Sequence, residues 1–175
     1  MRDAGDLGAA TAARRYRAYP AYKPSGVEWL GDIPEGWEQT PLKYICNFNG
    51  GGTPSKENES YWKDGTIPWV SPKDMGSDRI SSTIDKLTTA AVEASSTNYI
   101  EDGALLIVVR SGILRHTIPV AINDVRVTLN QDMKALRFSD VAVARYAQYY
   151  IKGNQASLLL EWLKEGLDSS LKCDG

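Results

Sequence analysis

The sequence predicts an α+β domain: an irregular, mostly antiparallel, β-rich body with helices packed on it at the C-terminal end. Three observations carry that expectation. Short apolar runs of strand length, bounded by Gly, Pro, Asn and Ser, occupy most of the chain up to Phe138. Apolar residues recur at helical spacing over two segments beyond Ser139. A length of 175 residues with 42% hydrophobic residues suffices for one sizeable core and is short for two full domains.

In chain order, residues 1–18 are rich in Ala, Arg and Gly without an apolar period and read as a flexible tail. The domain proper is expected over residues 19–171, with 172–175 a short tail. In residues 19–37, Pro and Gly exclude a helix, and Trp29, Leu30, Ile33 and Trp37 suggest an extended strap across the core. Alternation at residues 40–48 predicts a strand with Leu42, Tyr44, Cys46 and Phe48 on one face. Gly50-Gly51-Gly52 ends it; Ser55 rather than Gly precedes Lys56, so this is no phosphate-binding Walker loop but a turn bringing backbone close to a neighbour. An ordered loop over residues 53–62 leads to a short strand at 66–70, expected at a sheet edge because Pro68 cannot donate to a ladder. A polar loop covers 71–82, a short helix 88–96 and a turn 98–103.

Residues 102–138 organise the rest. An apolar strand from Gly103 to Val109 leads into Arg110-Ser111-Gly112 and a polar turn with Arg115 and His116, then a second β run and Asn130-Gln131-Asp132-Met133-Lys134. Apolar strands at both ends thus hold a cluster of hydrogen-bonding side chains between them, the way a rigid scaffold presents a binding surface. Ser139-Asp140 start a helix with Val143, Tyr146, Ala147, Tyr150 and Ile151 on one face, ended by Gly153. A second helix over 155–165 places Ala156, Leu159, Leu160 and Leu163 together and stops at Gly166.

Composition narrows the function. A net charge of -2 and a pI near 5.5 argue against a generic phosphate binder, so any nucleic-acid binding must rest on a local patch, base contacts and partners. Cys46 and Cys173 are isolated and His116 is the single histidine, which nearly excludes a structural zinc site, and no dinucleotide fingerprint implies a cofactor. No apolar run reaches membrane-spanning length and no secretory signal opens the chain, so the cytoplasm is the expected compartment.

Two chemistries remain. Asp132 and Lys134 with Asp124 upstream could hold Mg²⁺ and orient water for phosphodiester cleavage, although Asp-x-Lys is common by chance and the two side chains can simply pair. The binding alternative uses Arg110, Arg115, Asn130, Gln131 and Lys134, the types that contact base edges directionally, with Lys56, Asn58, Tyr61 and Lys73 as loop support and Ser71, Ser111 and His116 completing the set. For each, a local role stands beside it: Asn130 and Gln131 as loop caps, Arg110 as a partner of Asp132. A third possibility is a protein-interaction scaffold using the Leu-rich face from Ala156 to Leu163.

The segment from Tyr19 to Trp37 resembles the amino-terminal segment of specificity subunits of type I restriction-modification enzymes. So do Gly51-Gly52-Thr53-Pro54-Ser55-Lys56, Tyr61-Trp62, and the run from Ile67 to Met75. Val109-Arg110-Ser111-Gly112 with the run from Asn130 to Leu136 is similar to the paired motifs of that family's target recognition domains. The resemblance implies an α+β recognition domain that reads one half of a bipartite site in double-stranded DNA and has no catalytic residues of its own. Methylation and cleavage would come from partner methyltransferase and restriction-translocase subunits. The chain stops before the spacer helix and second recognition domain of such subunits, so it is expected to represent a first recognition domain alone.

Overall fold

The computed structural model describes residues 17–165, and the side chains of residues 17–161. The first sixteen residues of the tail expected at 1–18, the stop at Gly166, the position of Leu163 in its helix face and the tail at 172–175 lie outside these. Two compact units are present, one up to Gln39 and one from Thr40 onward.

In the first unit, β1 (Tyr22–Pro24) pairs antiparallel with β2 (Asp32–Pro34). Ser25 closes the turn between them: its hydroxyl donates to the Val27 carbonyl at 3.1 Å and its backbone N–H to Gly31 O at 3.0 Å. Tyr19 meets the edges of Tyr22 and Trp37, so the aromatics gather on this ribbon. The segment is therefore a closed two-stranded turn rather than one extended strap.

The second unit contains β3 (Cys46–Gly50), β4 (Ile67–Val70), β5 (Arg79–Ile80), β6 (Asp85–Leu87), α1 (Thr89–Glu93), β7 (Leu105–Val108), β8 (Val120–Asn123), β9 (Thr128–Leu129), β10 (Met133–Phe138), α2 (Val141–Gly153) and α3 (Gln155–Glu165). They form a five-stranded sheet of order β3-β10-β7-β8-β5 and a three-stranded sheet of order β6-β4-β9. Antiparallel pairings dominate, with β5–β8 and β4–β9 parallel.

Strand β7, Leu-Leu-Ile-Val, is buried along its whole length because both faces of its sheet are covered. Alternation sends Leu106 and Val108 into a core with Val70, Leu129, Met133 and Ala135, between the two sheets. Leu105 and Ile107 enter a second core with Leu136, Ala144, Ala147 and Ile151, under α2. Trp69, Leu87, Ala91 and Val92 form a third cluster, with Tyr61 and Trp62 packed on it. Each such aliphatic side chain contributes about 1.5–3 kcal/mol, so β7 is the strand whose loss the domain tolerates least.

Four further expectations change. The strand expected from residue 40 starts at Cys46, because Pro41 opens a 3-10 helix, Leu42–Tyr44, with Tyr44 N–H on Pro41 O at 3.0 Å; Tyr44 is exposed. β4 is the middle strand of its sheet despite Pro68. β9 pairs only with Trp69 and Val70, so the N–H that Pro68 lacks falls outside that ladder, while its carbonyl accepts from the Thr128 hydroxyl at 3.0 Å. On α2, capped by Asp140 accepting from Ala142 N–H, the buried stripe is Ala144, Ala147, Gln148 and Ile151; Val143 and Tyr146 are exposed. Gln148 is buried because its amide donates to Asp78 O at 2.8 Å, which an apolar count misses. Next to Tyr146, the Tyr150 phenol ionises above its ordinary 10.0, through burial first and that neighbour second. On α3, Leu158 and Leu159 pack on the second core while Ala156 and Leu160 are exposed.

The triple glycine fits its expected role. A Cβ on Gly51 would lie 2.2 Å from Asn130 O and 2.4 Å from Leu129 O, backbone atoms that cannot swing aside, whereas Gly112 faces open space. Gly51→Ala is expected to lower unfolding free energy by about 1–3 kcal/mol, and Gly112→Ala to change it by less than about 0.5 kcal/mol, measured by denaturant unfolding; equal effects would contradict the close approach.

Candidate nucleic-acid interface

β4 and β9 run parallel, with Val70 beside Leu129, so both leave the small sheet at the same end. From Leu129 the chain crosses through Asn130-Gln131-Asp132 into β10, whose first residue Met133 lies opposite Val108 at the end of β7. The ends of β4, β7 and β9 and the start of β10 therefore converge on one three-residue junction.

That junction is fixed by backbone bonds. Leu129 O accepts from Gly52 N–H and from the buried Thr97 hydroxyl, both at 2.9 Å, and Asn130 N–H reaches Val70 O at 2.9 Å. Asn130 is 7% exposed and its side-chain oxygen accepts from Asp132 N–H at 2.9 Å. Asp132 O accepts from Val109 N–H at 2.8 Å and Arg110 N–H at 3.3 Å, continuing the β7–β10 ladder past the strand end. Trp69 Nε1–H donates to Gly52 O at 3.0 Å and Trp62 Nε1–H to Ser55 O at 3.0 Å, so two indoles hold the glycine loop.

On this frame Gln131 is exposed and its amide oxygen accepts from the Thr53 hydroxyl, which leaves both amide N–H donors outward. Arg110 follows on the next strand end, its side chain 74% exposed and its Nε 3.8 Å from the Asp132 carboxylate. An exposed pair of that kind is worth about 0–1 kcal/mol, less than the roughly 1–3 kcal/mol of discrimination a bidentate Arg–guanine contact supplies; Asp132 aims Arg110 without sequestering it. After Arg110, Ser111 accepts from Ile113 N–H at 3.4 Å and caps a 3-10 helix, Gly112–Arg115, whose Leu114 plugs into the core while Arg115 and His116 stay exposed. Lys73 is exposed on the 3-10 turn Pro72–Asp74 that follows β4.

The candidates thus separate. The structure brings Arg110, Ser111, Arg115, His116, Gln131 and Lys73 to the converging strand ends, and adds Thr53, which belongs to the 51–56 motif but not to the contact candidates. Asn130 is inside and structural. Ser71 is buried, its hydroxyl donating to Asp74 Oδ2 at 2.9 Å in a capping box. Asn58 caps the 3-10 helix Glu59–Tyr61 by accepting from Ser60 N–H at 3.2 Å, and Tyr61 packs on the third cluster. Lys56 is exposed on that same loop. Lys134 is half-buried within β10, its ammonium 6.0 Å from the Phe48 ring centre.

The metal-site alternative does not assemble. Asp132 meets the C-terminal end of β7, whereas Asp124 follows β8, where Asn123 N–H reaches Ala104 O before β7 begins. About 15 Å of strand separates those two ends at 3.3 Å per residue. Asp124 is paired with Arg79, and among the described residues no cluster of three metal-ligating side chains occurs.

Residues 34–166 match the family model of the type I restriction modification DNA specificity domain. The chain is 40% identical over 147 residues to the specificity subunit of the type I restriction enzyme EcoR124I/EcoR124II of Escherichia coli, an alignment covering 83% of the chain and 33% of that subunit. It is 32% identical over 139 residues to the type I restriction enzyme MjaIX specificity subunit of Methanocaldococcus jannaschii, covering 78% of the chain and 30% of the relative. The chain therefore spans about a third of the length of these curated relatives. In fold it is similar to the HsdS subunit of Thermoanaerobacter tengcongensis, with a TM-score of 0.51 and 17% identity over 76% of the chain and 31% of that one. A structure from work on complex assembly and conformational transition of the type I R-M system gives 0.51 and 19% over 70% of the chain and 29% of that one.

Asn130→Ala is expected to destabilise the domain by about 1–3 kcal/mol, because it strips an acceptor from a buried turn. Gln131→Ala, on the surface one residue later, is expected to cost less than about 0.5 kcal/mol. Thermal or denaturant unfolding of the two variants compares them, and the reverse order would contradict the assignment of inside and outside.

Proposed function

Because the chain belongs to the type I restriction modification DNA specificity domain family, we propose that it is a target recognition module that reads one half of a bipartite site in double-stranded DNA. The observation that carries this reading is the convergence of four strand ends on the Asn130-Gln131-Asp132 junction, with exposed Arg110, Arg115, His116, Gln131 and Lys73 around it. Side chains mounted on strand ends lose little freedom on binding, which favours reading base edges in the major groove. Arg110 and Arg115 suit guanine; Gln131, its amide oxygen engaged by Thr53, offers N–H donors that suit a base acceptor such as purine N7. Asn130 and Ser71 support those contacts from beneath rather than making them. Lys56, Asn58, Tyr61 and Lys134 stand at one remove from this set, and the Asn58 and Tyr61 side chains are engaged in local structure.

The module is not itself an enzyme on this reading. It acts in the cytoplasm as part of a specificity subunit, the part its relatives are named for, with methyltransferase subunits and a restriction-translocase subunit supplying catalysis. No helix among the described residues is long and apolar enough to cross a membrane. A chain of net charge -2 has no basic excess and gains little from counterion release, which fits a module that discriminates strongly and binds weakly until its partners add affinity.

The test is substitution within a complete specificity subunit assembled with its methyltransferase. Arg110→Ala and Gln131→Ala are each expected to reduce discrimination at one base pair of the half-site by about tenfold to a hundredfold, the equivalent of roughly 1–3 kcal/mol. Protein levels and complex assembly should remain unchanged. Methylated positions mapped on genomic DNA give the readout; an unaltered target in both variants would overturn the assignment of these contacts.

A further inference from the structure

Beside the junction, an open groove of about 360 Å³ lies between the turn after β4 and the 81–84 segment that enters β6. Its polar lining is uneven in a useful way. Asp74 is spent on structure: Oδ2 accepts from Ser71 N–H and hydroxyl at 2.9 Å each, and Oδ1 accepts from Ile84 N–H at 2.8 Å, tying the two walls together. Thr83 is likewise engaged, accepting from Trp69 N–H and donating to Asp85 O. What faces solvent is the Lys73 ammonium, the Ser81 and Ser82 hydroxyls and, at one end, Arg79, half-exposed and oriented by Asp124. Lys73, Ser81 and Ser82 have no hydrogen-bond or ion-pair partner among the described residues. Ile84, 71% exposed, forms an apolar rim.

With the Asp74 carboxylate turned into its own hydrogen bonds and Asp124 paired to Arg79, the groups this open groove offers outward are two cationic side chains and two hydroxyls, which suit phosphodiester oxygens, with the aliphatic rim against deoxyribose. We propose that this groove, through Lys73, Arg79, Ser81 and Ser82, grips the DNA backbone next to the half-site without reading its sequence. The inference rests on the DNA-recognition reading above; it assigns Lys73, at the rim of that set, to the phosphates and adds Arg79, Ser81 and Ser82, which lie outside it. Because Lys73 lies on the turn that leaves β4 where Val70 meets the junction, a duplex held by the groove is also placed in register against Gln131 and Arg110.

The test uses amide NMR of this chain titrated with a short duplex of arbitrary sequence, alongside salt-dependent affinity. The Ser81, Ser82 and Ile84 amide signals are expected to move together with those of Arg110 to His116 and Gln131. Lys73→Gln is expected to weaken binding by about threefold to tenfold at low salt and to reduce the slope of log affinity against log salt by about 0.9. Ser81→Ala with Ser82→Ala, at exposed positions without internal partners, should weaken all duplexes equally. Shifts confined to the strand-end residues, with an unchanged slope in Lys73→Gln, would overturn the clamp and leave the recognition reading in place. Absence of shifts in both regions would remove both.

Discussion

The structure depends on a close backbone contact: the Leu129-Asn130 peptide against the glycine loop at Gly51-Gly52. Leu129 O receives two donors there, and no side chain fits between the strands. Everything proposed for function is mounted on it. The contact fixes where β9 ends, so it fixes the crossing from the small sheet to the large one and the point where β10 meets β7. Arg110 inherits its place from Asp132, and Gln131 from the turn that Asn130 closes. A loop held this way behaves as part of the scaffold, which is what directional hydrogen bonding to bases needs.

Charge and shape divide the work. The formal charge of -2 cannot deliver DNA affinity by itself, and several acidic groups are engaged: Asp74 in its cap, Asp78 with Lys152, Asp124 with Arg79, Asp132 with Arg110. That arrangement keeps carboxylates beside the interface from acting as bare repulsive charges and turns two of them into guides for arginines. The ion pairs are exposed and weak, so they orient without locking. On the proposed reading, discrimination comes from a few well-placed donors, and affinity from the backbone groove and from what the module is joined to.

Much of this was legible before the structure. β7 announces itself as an uninterrupted apolar run, and a strand buried on both faces needs no alternation. α3 fell at residues 155–165 as its spacing indicated, and the triple glycine at 50–52 pointed to a turn of close backbone approach, which Gly51 makes. The failures have physical causes. Pro41 favours a 3-10 turn over the first half of an alternating segment. Pro68 sits in a middle strand because its neighbour is too short to need its N–H. On α2 the small residues Ala144 and Ala147 face the sheet while larger Val143 and Tyr146 face outward, an order that hydrophobicity alone ranks wrongly. At the interface, residue type cannot separate Asn130 from Gln131. One closes a buried turn and the other projects from it, which depends on burial, a property of the assembled sheets. Asp124 and Asp132, near each other in sequence, lie at opposite ends of β7 because antiparallel topology places them there.

The most direct measurement is selection of bound duplexes from a random DNA pool at low salt, using this chain in parallel with a complete specificity subunit that contains it and its methyltransferase. The account predicts enrichment of the same short half-site in both selections, with the lone chain binding more weakly. A bipartite target from the complete assembly in which neither half changes when Arg110 and Gln131 are replaced, together with no enrichment by the lone chain, would contradict it.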